Sequence, residues 1–211
     1  MPDVSPDHVV AFWFGAPPAD ADELATKTLR WFRGGEAFDR EVIARFADVV
    51  TAAVEGGLDA WRSSPRGRLA LVILLDQFTR NVFRGTPRMY AGDARAQALA
   101  LEAFADGSVA ALPFVEQLFL SLPLLHAESL ALQERVGEIA RALAPKVPAV
   151  FEPMAAMWLE QCAKYRGVIA RFGRFPHRNA MLGRPSTPEE IAFLADWEAK
   201  APPAGMPPDP S

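Results

Sequence analysis

The sequence predicts an all-α protein, a single domain of eight to nine helices, and three observations carry that expectation. Apolar residues recur at helical spacing, most clearly over residues 37–54, where Phe38, Val42, Ile43, Phe46, Val49, Val50 and Val54 fall on one stripe. Helix-opening pairs such as Ser5-Pro6 and Thr187-Pro188 start segments that glycines such as Gly15, Gly56 and Gly173 stop. No segment shows the turn-punctuated alternation of a half-buried strand.

Taken in order, Ser5 caps a first short helix with Pro6 at its first position, Val9 to Phe14 follow, and Gly15 ends it. The stripe over 37–54 is an amphipathic helix terminated by Gly56-Gly57. Arg68 to Phe78 differs in kind, because Leu69 to Leu75 is apolar on every side; a helix tolerates this only when neighbours surround it, so this one is expected at the centre. Asp93 is placed to cap a helix through Ala105 that ends before Gly107. Leu112 to Leu122 forms another, which Pro123 is expected to interrupt, and the next runs from about His126 to Leu143. Pro145 and Pro148 separate it from a long helix carrying Phe151, Ala155, Trp158, Leu159, Cys162, Ile169 and Phe172 on one side. Thr187-Pro188-Glu189-Glu190 is a capping box that opens a last helix through Trp197. Antiparallel helix pairs in a tetratricopeptide-like superhelix and a closed bundle both satisfy this pattern, although no fixed 34- or 40-residue repeat is visible. Residues 1–200 form the domain, and 201–211, with five prolines, read as a disordered tail.

At 211 residues and half apolar, the chain has enough length for one well-developed core. A net charge of −4 argues against nucleic acid or acidic membrane as a partner, since either needs a broad excess of Lys and Arg. Any anion must therefore be met locally. The one cysteine, Cys162, rules out an internal disulfide and a multi-cysteine zinc site, and it fits a reducing compartment. With no export or membrane-insertion signal, the cytoplasm is the expected location. Nothing in the sequence fixes the oligomeric state.

Two arginine islands stand out from this acidic background. Arg171 to Arg184 holds four arginines, His177 and Asn179 without one acid, and Asp76 to Arg88 holds Arg80, Asn81, Arg84 and Arg88. Guanidinium groups form planar forks on phosphate or carboxylate, so Arg80, Asn81, Arg84, Arg174, Arg178 and Asn179 are candidate ligand-binding residues. Asp76, His126 and His177 are candidate catalytic residues. Asp76 follows a buried apolar run, with Arg80 one turn beyond on the same face, so its carboxylate needs a cationic partner. His126 sits just after a proline break and could act as a general base, yet Glu128, two residues on, is badly placed to be its helical partner. For each group a structural role competes: the arginines could equally clamp helix-end carbonyls or Asp76. A metal is not expected, because HExxH spacing is missing and the arginines would oppose a dication. No cofactor is expected either, since neither a Walker-type loop nor a dinucleotide fingerprint is present.

At these residues the chain resembles a large, mainly bacterial family known as domain-of-unknown-function family 924. The resemblance rests on Phe-Trp-Phe-Gly (Phe12 to Gly15), Leu-Leu-Asp-Gln-Phe-x-Arg-Asn-x-Phe-Arg-Gly (Leu74 to Gly85), Leu-Pro-Leu-x-His-x-Glu (Leu122 to Glu128) and the long motif from Arg171 to Arg184. Thr79 stands where relatives often carry proline. The resemblance implies an all-α, tetratricopeptide-like fold, and implies neither a reaction nor agreed catalytic residues.

Function therefore rests on the residues. One expectation is a site for a small phosphorylated or carboxylated metabolite, hydrolytic if His126 or His177 handles protons. Its alternative is a helical module whose arginines clamp an acidic peptide. A third reading gives the islands a purely architectural role. The tryptophans do not choose between these, since aromatic residues at helical spacing more often belong to a core.

Overall fold

The computed structural model describes residues 4–199, all of whose regular elements are helical. The expected tail at 201–211 lies outside the described residues. The α-helices are α1 (Pro6–Phe14), α2 (Ala21–Arg33), α3 (Gly35–Glu55), α4 (Pro65–Val72), α5 (Thr79–Val82), α6 (Asp93–Ala105), α7 (Phe114–Leu125), α8 (Leu130–Leu143), α9 (Glu152–Phe172) and α10 (Pro188–Ala199). A π-helical segment, Ile73–Phe78, joins α4 to α5 without a break, so one rod runs from Pro65 to Val82. Counting that rod once gives nine helices among the described residues.

Local chemistry sets most of the helix ends. The Ser5 hydroxyl accepts from the His8 amide and the His8 ring accepts from the Ser5 amide, which closes a capping box on α1. Asp20 caps α2 through the Glu23 amide, and Ser64 caps α4 through Gly67. At α10, Thr187 and Glu190 satisfy each other's backbone donors as expected. Helix α2, which was not among the expected elements, is also held from outside. Lys27, Arg30 and the Trp31 indole donate to the last carbonyls of α1, those of Phe14, Phe12 and Trp13.

The rod is central, as its all-round apolar run requires. It packs against α1, α3, α6 and α7, and every residue from Leu69 to Arg80 is buried. Helices α7, α8 and α9 pack consecutively beside it. Four expectations need correction. Pro123 does not interrupt α7, which continues to Leu125. One missing N–H bond is outweighed because eleven of its twelve residues are buried. The following helix begins at Leu130 rather than His126, and His126 caps the end of α7. Asp93 does not cap α6; Gly92 holds that position and the Asp93 carboxylate is used elsewhere. On α3, Ile43 leaves the buried stripe and is 43% exposed, because it lies about 100° around the helix from the fully buried Val42.

Candidate functional site

The π segment creates the polar centre of the molecule. An extra residue per turn widens the helix and re-aims its side chains, and Asp76 and Gln77 both fall within it. Asp76 is fully buried. Its carboxylate lies 2.8 Å from His126 Nδ1 and 3.4 Å from Arg80 Nη1, and accepts a bond from the Gln77 amide. Burial alone would raise the pKa of Asp76; the Arg80 and His126 charges and the hydrogen bonds from His126 and Gln77 outweigh it and bring the group to about 2. An ionised carboxylate can only accept, so the His126 nitrogen facing it, Nδ1, carries a proton.

Arg80 reaches in two directions, donating to the Asp76 carbonyl and, at 3.1 Å, to Asp93 Oδ1. Arg178, from the second island, lies 3.7 Å from Asp93 Oδ2 and donates to the His126 carbonyl at 3.0 Å. The two islands thus meet through Arg80 and Arg178, and the anion they share is the protein's own Asp93. Both guanidinium groups also approach the Tyr90 ring, with Cζ 5.8 Å and 4.8 Å from its centre. Burial, helped by the negative charge of Asp76, raises the pKa of Asp93 above its ordinary value even though Arg80 and Arg178 adjoin it and pull the other way.

The rest of the second island forms a clamp. Arg184 grips Glu128 with two bonds of 2.6 and 2.8 Å, and Glu128 also accepts from the Phe175 amide. Arg174 makes a similar fork on Glu190 at 2.7 and 2.9 Å, where the Asn179 amide also donates at 3.3 Å. These bonds tie residues 174–187 to the turn before α8 and to the start of α10. Arg174 and Asn179 are thus engaged by Glu190, while His177 sits half-buried with its ring 5.5 Å from that of Phe175.

Asn81 and Arg84 lie elsewhere, at the far end of the rod. Both bind Asp39 of α3, Asn81 at 2.8 Å and Arg84 at 2.6 and 3.0 Å. They border a cavity of about 500 Å³ between α1, α2, α3 and the rod. Gln77 and Arg80 also line it, as do Arg33, Glu36 and the aromatic residues Trp13, Trp31, Phe32 and Phe38. Arg33, Arg80 and Arg84 thus share the wall with Glu36 and Asp39, and Arg80 is also engaged by Asp76 and Asp93 behind it. Gln77 is shared: it lines the cavity and binds Asp76, so the cavity wall is one residue from the buried Asp76–His126 pair.

Sequence reasoning missed Asp39, Asp93, Tyr90 and Glu190, the residues that occupy the arginines. Asp39 did leave a signal, since it is an acid beside Phe38 on the buried stripe of α3. Among the described residues, no group of three or more His, Cys, Asp or Glu could hold a metal ion, and no helix is long and apolar enough to cross a membrane.

Comparison with known proteins agrees with this architecture. A solved structure titled as a protein of unknown function, ATU0120 from Agrobacterium tumefaciens, is 37% identical, with a TM-score of 0.74 over 90% of this chain and 97% of that one. No match is found among curated proteins. Residues 9–197 match the family described as "Bacterial protein of unknown function (DUF924)", so helices α2 to α9, most of α1 and α10, the buried Asp76 network and the cavity beside it fall within the matched span, and the chain belongs to the DUF924 family.

Proposed function

We propose that the protein binds a small phosphorylated or carboxylated molecule in the cavity beside Arg80, Asn81 and Arg84. The observation that carries this reading is the composition of the cavity: about 500 Å³, within the usual range for small-molecule sites, with arginines and amides beside aromatic residues in a half-open cleft. Asp39 holds Arg84 and Asn81 in position, which lowers the ordering cost of binding. Arg174, Arg178 and Asn179, expected to share this role, are not among the lining residues, and their bonds to Glu190, Asp93 and His126 favour a structural role.

A hydrolytic extension of the reading would use His126, oriented by Asp76 and connected to the cavity wall through Gln77. The peptide reading has one observation in its favour: a groove of about 380 Å³, lined by Leu29, Arg30 and Glu41, continues from the cavity through Arg33, Gly34 and Phe38.

A thermal-shift screen of phosphates, carboxylates and short acidic peptides tests the proposal. A ligand at 100 times its Kd adds about 2.7 kcal/mol of stability, a rise of roughly 5 to 10 °C for a chain of this size. Arg84→Ala, on the partly exposed rim, should fold normally and lose most of that rise. The proposal fails if no anion stabilises the protein, or if Arg84→Ala responds as fully as the unaltered chain. Stabilisation by acidic peptides alone would transfer the site to the groove.

A further inference from the structure

We infer that the ligand of this cavity carries hydroxyl groups beside its anionic group: it is a hydroxylated phosphate or carboxylate whose hydroxyls donate to the side-chain oxygens of Gln77 and Asn81. This rests on the reading of the cavity as an anion site and specifies what else the ligand bears.

The first ground is the spacing of the polar residues in the wall. Gln77, Arg80, Asn81 and Arg84 fall at i, i+3, i+4 and i+7 along the rod, which sets them on one face, and all four line the cavity. That face turns inward, with Gln77 5% exposed, Arg80 2% exposed and Asn81 half-buried. A helix ordinarily turns apolar residues inward, so polar groups placed there call for partners. The two arginines have theirs in Asp76, Asp93 and Asp39. The two amides are only half satisfied.

The second ground is the direction in which those amides are held. An ionised carboxylate only accepts, so an amide that faces one must present its NH2 group. Gln77 donates through Nε2 to Asp76 Oδ2, and Asn81 donates through Nδ2 at 2.8 Å to Asp39 Oδ1, whose carboxylate also takes two bonds from Arg84. Each side chain is thereby fixed by its nitrogen, and among the described residues neither Gln77 Oε1 nor Asn81 Oδ1 accepts a hydrogen bond. Neither oxygen is sealed in, since the partnerless side-chain oxygens shut off from solvent belong to Glu116, Gln133 and Gln161. Two oriented acceptors therefore stand in the cavity wall beside guanidinium groups, and donation to a carboxylate strengthens an amide oxygen as an acceptor. A bare phosphate or carboxylate would set its own acceptor oxygens against them. An ammonium group would meet the like charge of Arg80 and Arg84, whereas a hydroxyl donates without it.

The test pairs anions that differ only in hydroxyl groups, glycerol phosphate against propyl phosphate and lactate against propionate, with neutral glycerol and alanine as further probes. Affinities are measured by calorimetry on the full chain, and the side-chain amide resonances of 15N-labelled protein report on Gln77 and Asn81. Glycerol phosphate should bind about tenfold more tightly than propyl phosphate, and lactate about threefold more tightly than propionate. Glycerol should bind about tenfold more weakly than glycerol phosphate, and both amide resonances should move on saturation with the phosphate. Asn81→Ala should cut the ratio between the two phosphates about threefold, whereas Arg84→Ala should weaken both and keep their ratio. Should Asn81→Ala fail to fold, the paired titrations and resonances of the unaltered protein decide the same point. Equal affinity for hydroxylated and plain anions would overturn the hydroxyl assignment and leave the anion site standing, and tighter binding of alanine than of lactate would overturn it in favour of an amine. Glycerol bound as tightly as glycerol phosphate would overturn the anion reading itself, and binding by none of the probes would overturn both. Amide resonances unmoved by saturating glycerol phosphate, or a ratio that survives Asn81→Ala, would remove these oxygens from the site.

Discussion

Replacing Asp76 should be among the most damaging single changes in this protein, and its effect can be worked from the structure. The carboxylate is fully buried, and it is the partner of His126 Nδ1, the Gln77 amide and, in part, Arg80. Breaking a buried charge pair costs about 3 to 5 kcal/mol when the remaining cation is stranded. Arg80 keeps Asp93 at 3.1 Å, which places Asp76→Ala near the lower end, at about 3 kcal/mol. For a chain of this length that is a fall in Tm on the order of 6 to 12 °C. Asp76→Asn keeps the volume and loses the charge. Lowering the carboxyl from 3.8 to about 2 corresponds to about 2 kcal/mol at neutral pH, so Asn should cost roughly that much. The pH dependence follows in sign. Because the folded pKa is depressed, the contribution is complete above the unfolded value near 3.8 and is lost as pH falls toward 2. The gap between the parent and Asp76→Asn should therefore be constant from about pH 5 to 7 and close between about pH 4 and 2. Urea denaturation midpoints across that range measure it. An Asp76→Ala variant within about 0.5 kcal/mol of the parent, the scale of surface substitutions, would refute the buried network.

Gly92→Ala should destabilise by about 1 to 3 kcal/mol in urea melts, because an added Cβ would lie 2.2 Å from the Leu75 carbonyl oxygen, where α6 meets the π segment; a neutral result would mean that contact is loose. Burial pushes the Cys162 thiol up to about 12, so Ellman's reagent at pH 8 should label it only after denaturation. Rapid stoichiometric labelling of the native protein would contradict that burial. A double-mutant cycle on Glu128 and Arg184 should give a coupling of about 1 kcal/mol, reflecting a two-bond fork between quarter-exposed side chains, and a coupling of zero would dissolve the clamp.

Much of the fold was legible before any coordinates, because helices announce themselves locally. The stripe of α3, the caps of α1 and α10 and the all-round apolar run of Leu69 to Leu75 each depend on residues within one or two turns of one another. Errors arose where packing overrode a local rule. Pro123 removes a backbone donor, yet α7 is buried too completely to end there. The Asp93 side chain could cap α6, yet Arg80 and Arg178 take its carboxylate. The candidate residues show the same division. That Asp76 needed a cation and that Arg80 lay one turn away followed from helical spacing alone. His126 as its other partner did not, being fifty residues away on a different helix.

The sequence by itself determined an all-α chain, the central position of the rod and the concentration of arginine into two islands, since composition and periodicity are properties of neighbouring residues. Only the tertiary structure decided what each island does. It sets Arg174 and Arg184 on Glu190 and Glu128, joins Arg80 to Arg178 through Asp93, and leaves Asn81 and Arg84 beside a cavity walled by aromatic residues from α1, α2 and α3. The physical reason is that an arginine reads the same in sequence whether its counter-charge is a carboxylate of its own chain or a ligand. That choice is fixed by distances across elements, and pairing at separations of 13 to 85 residues leaves no periodic trace.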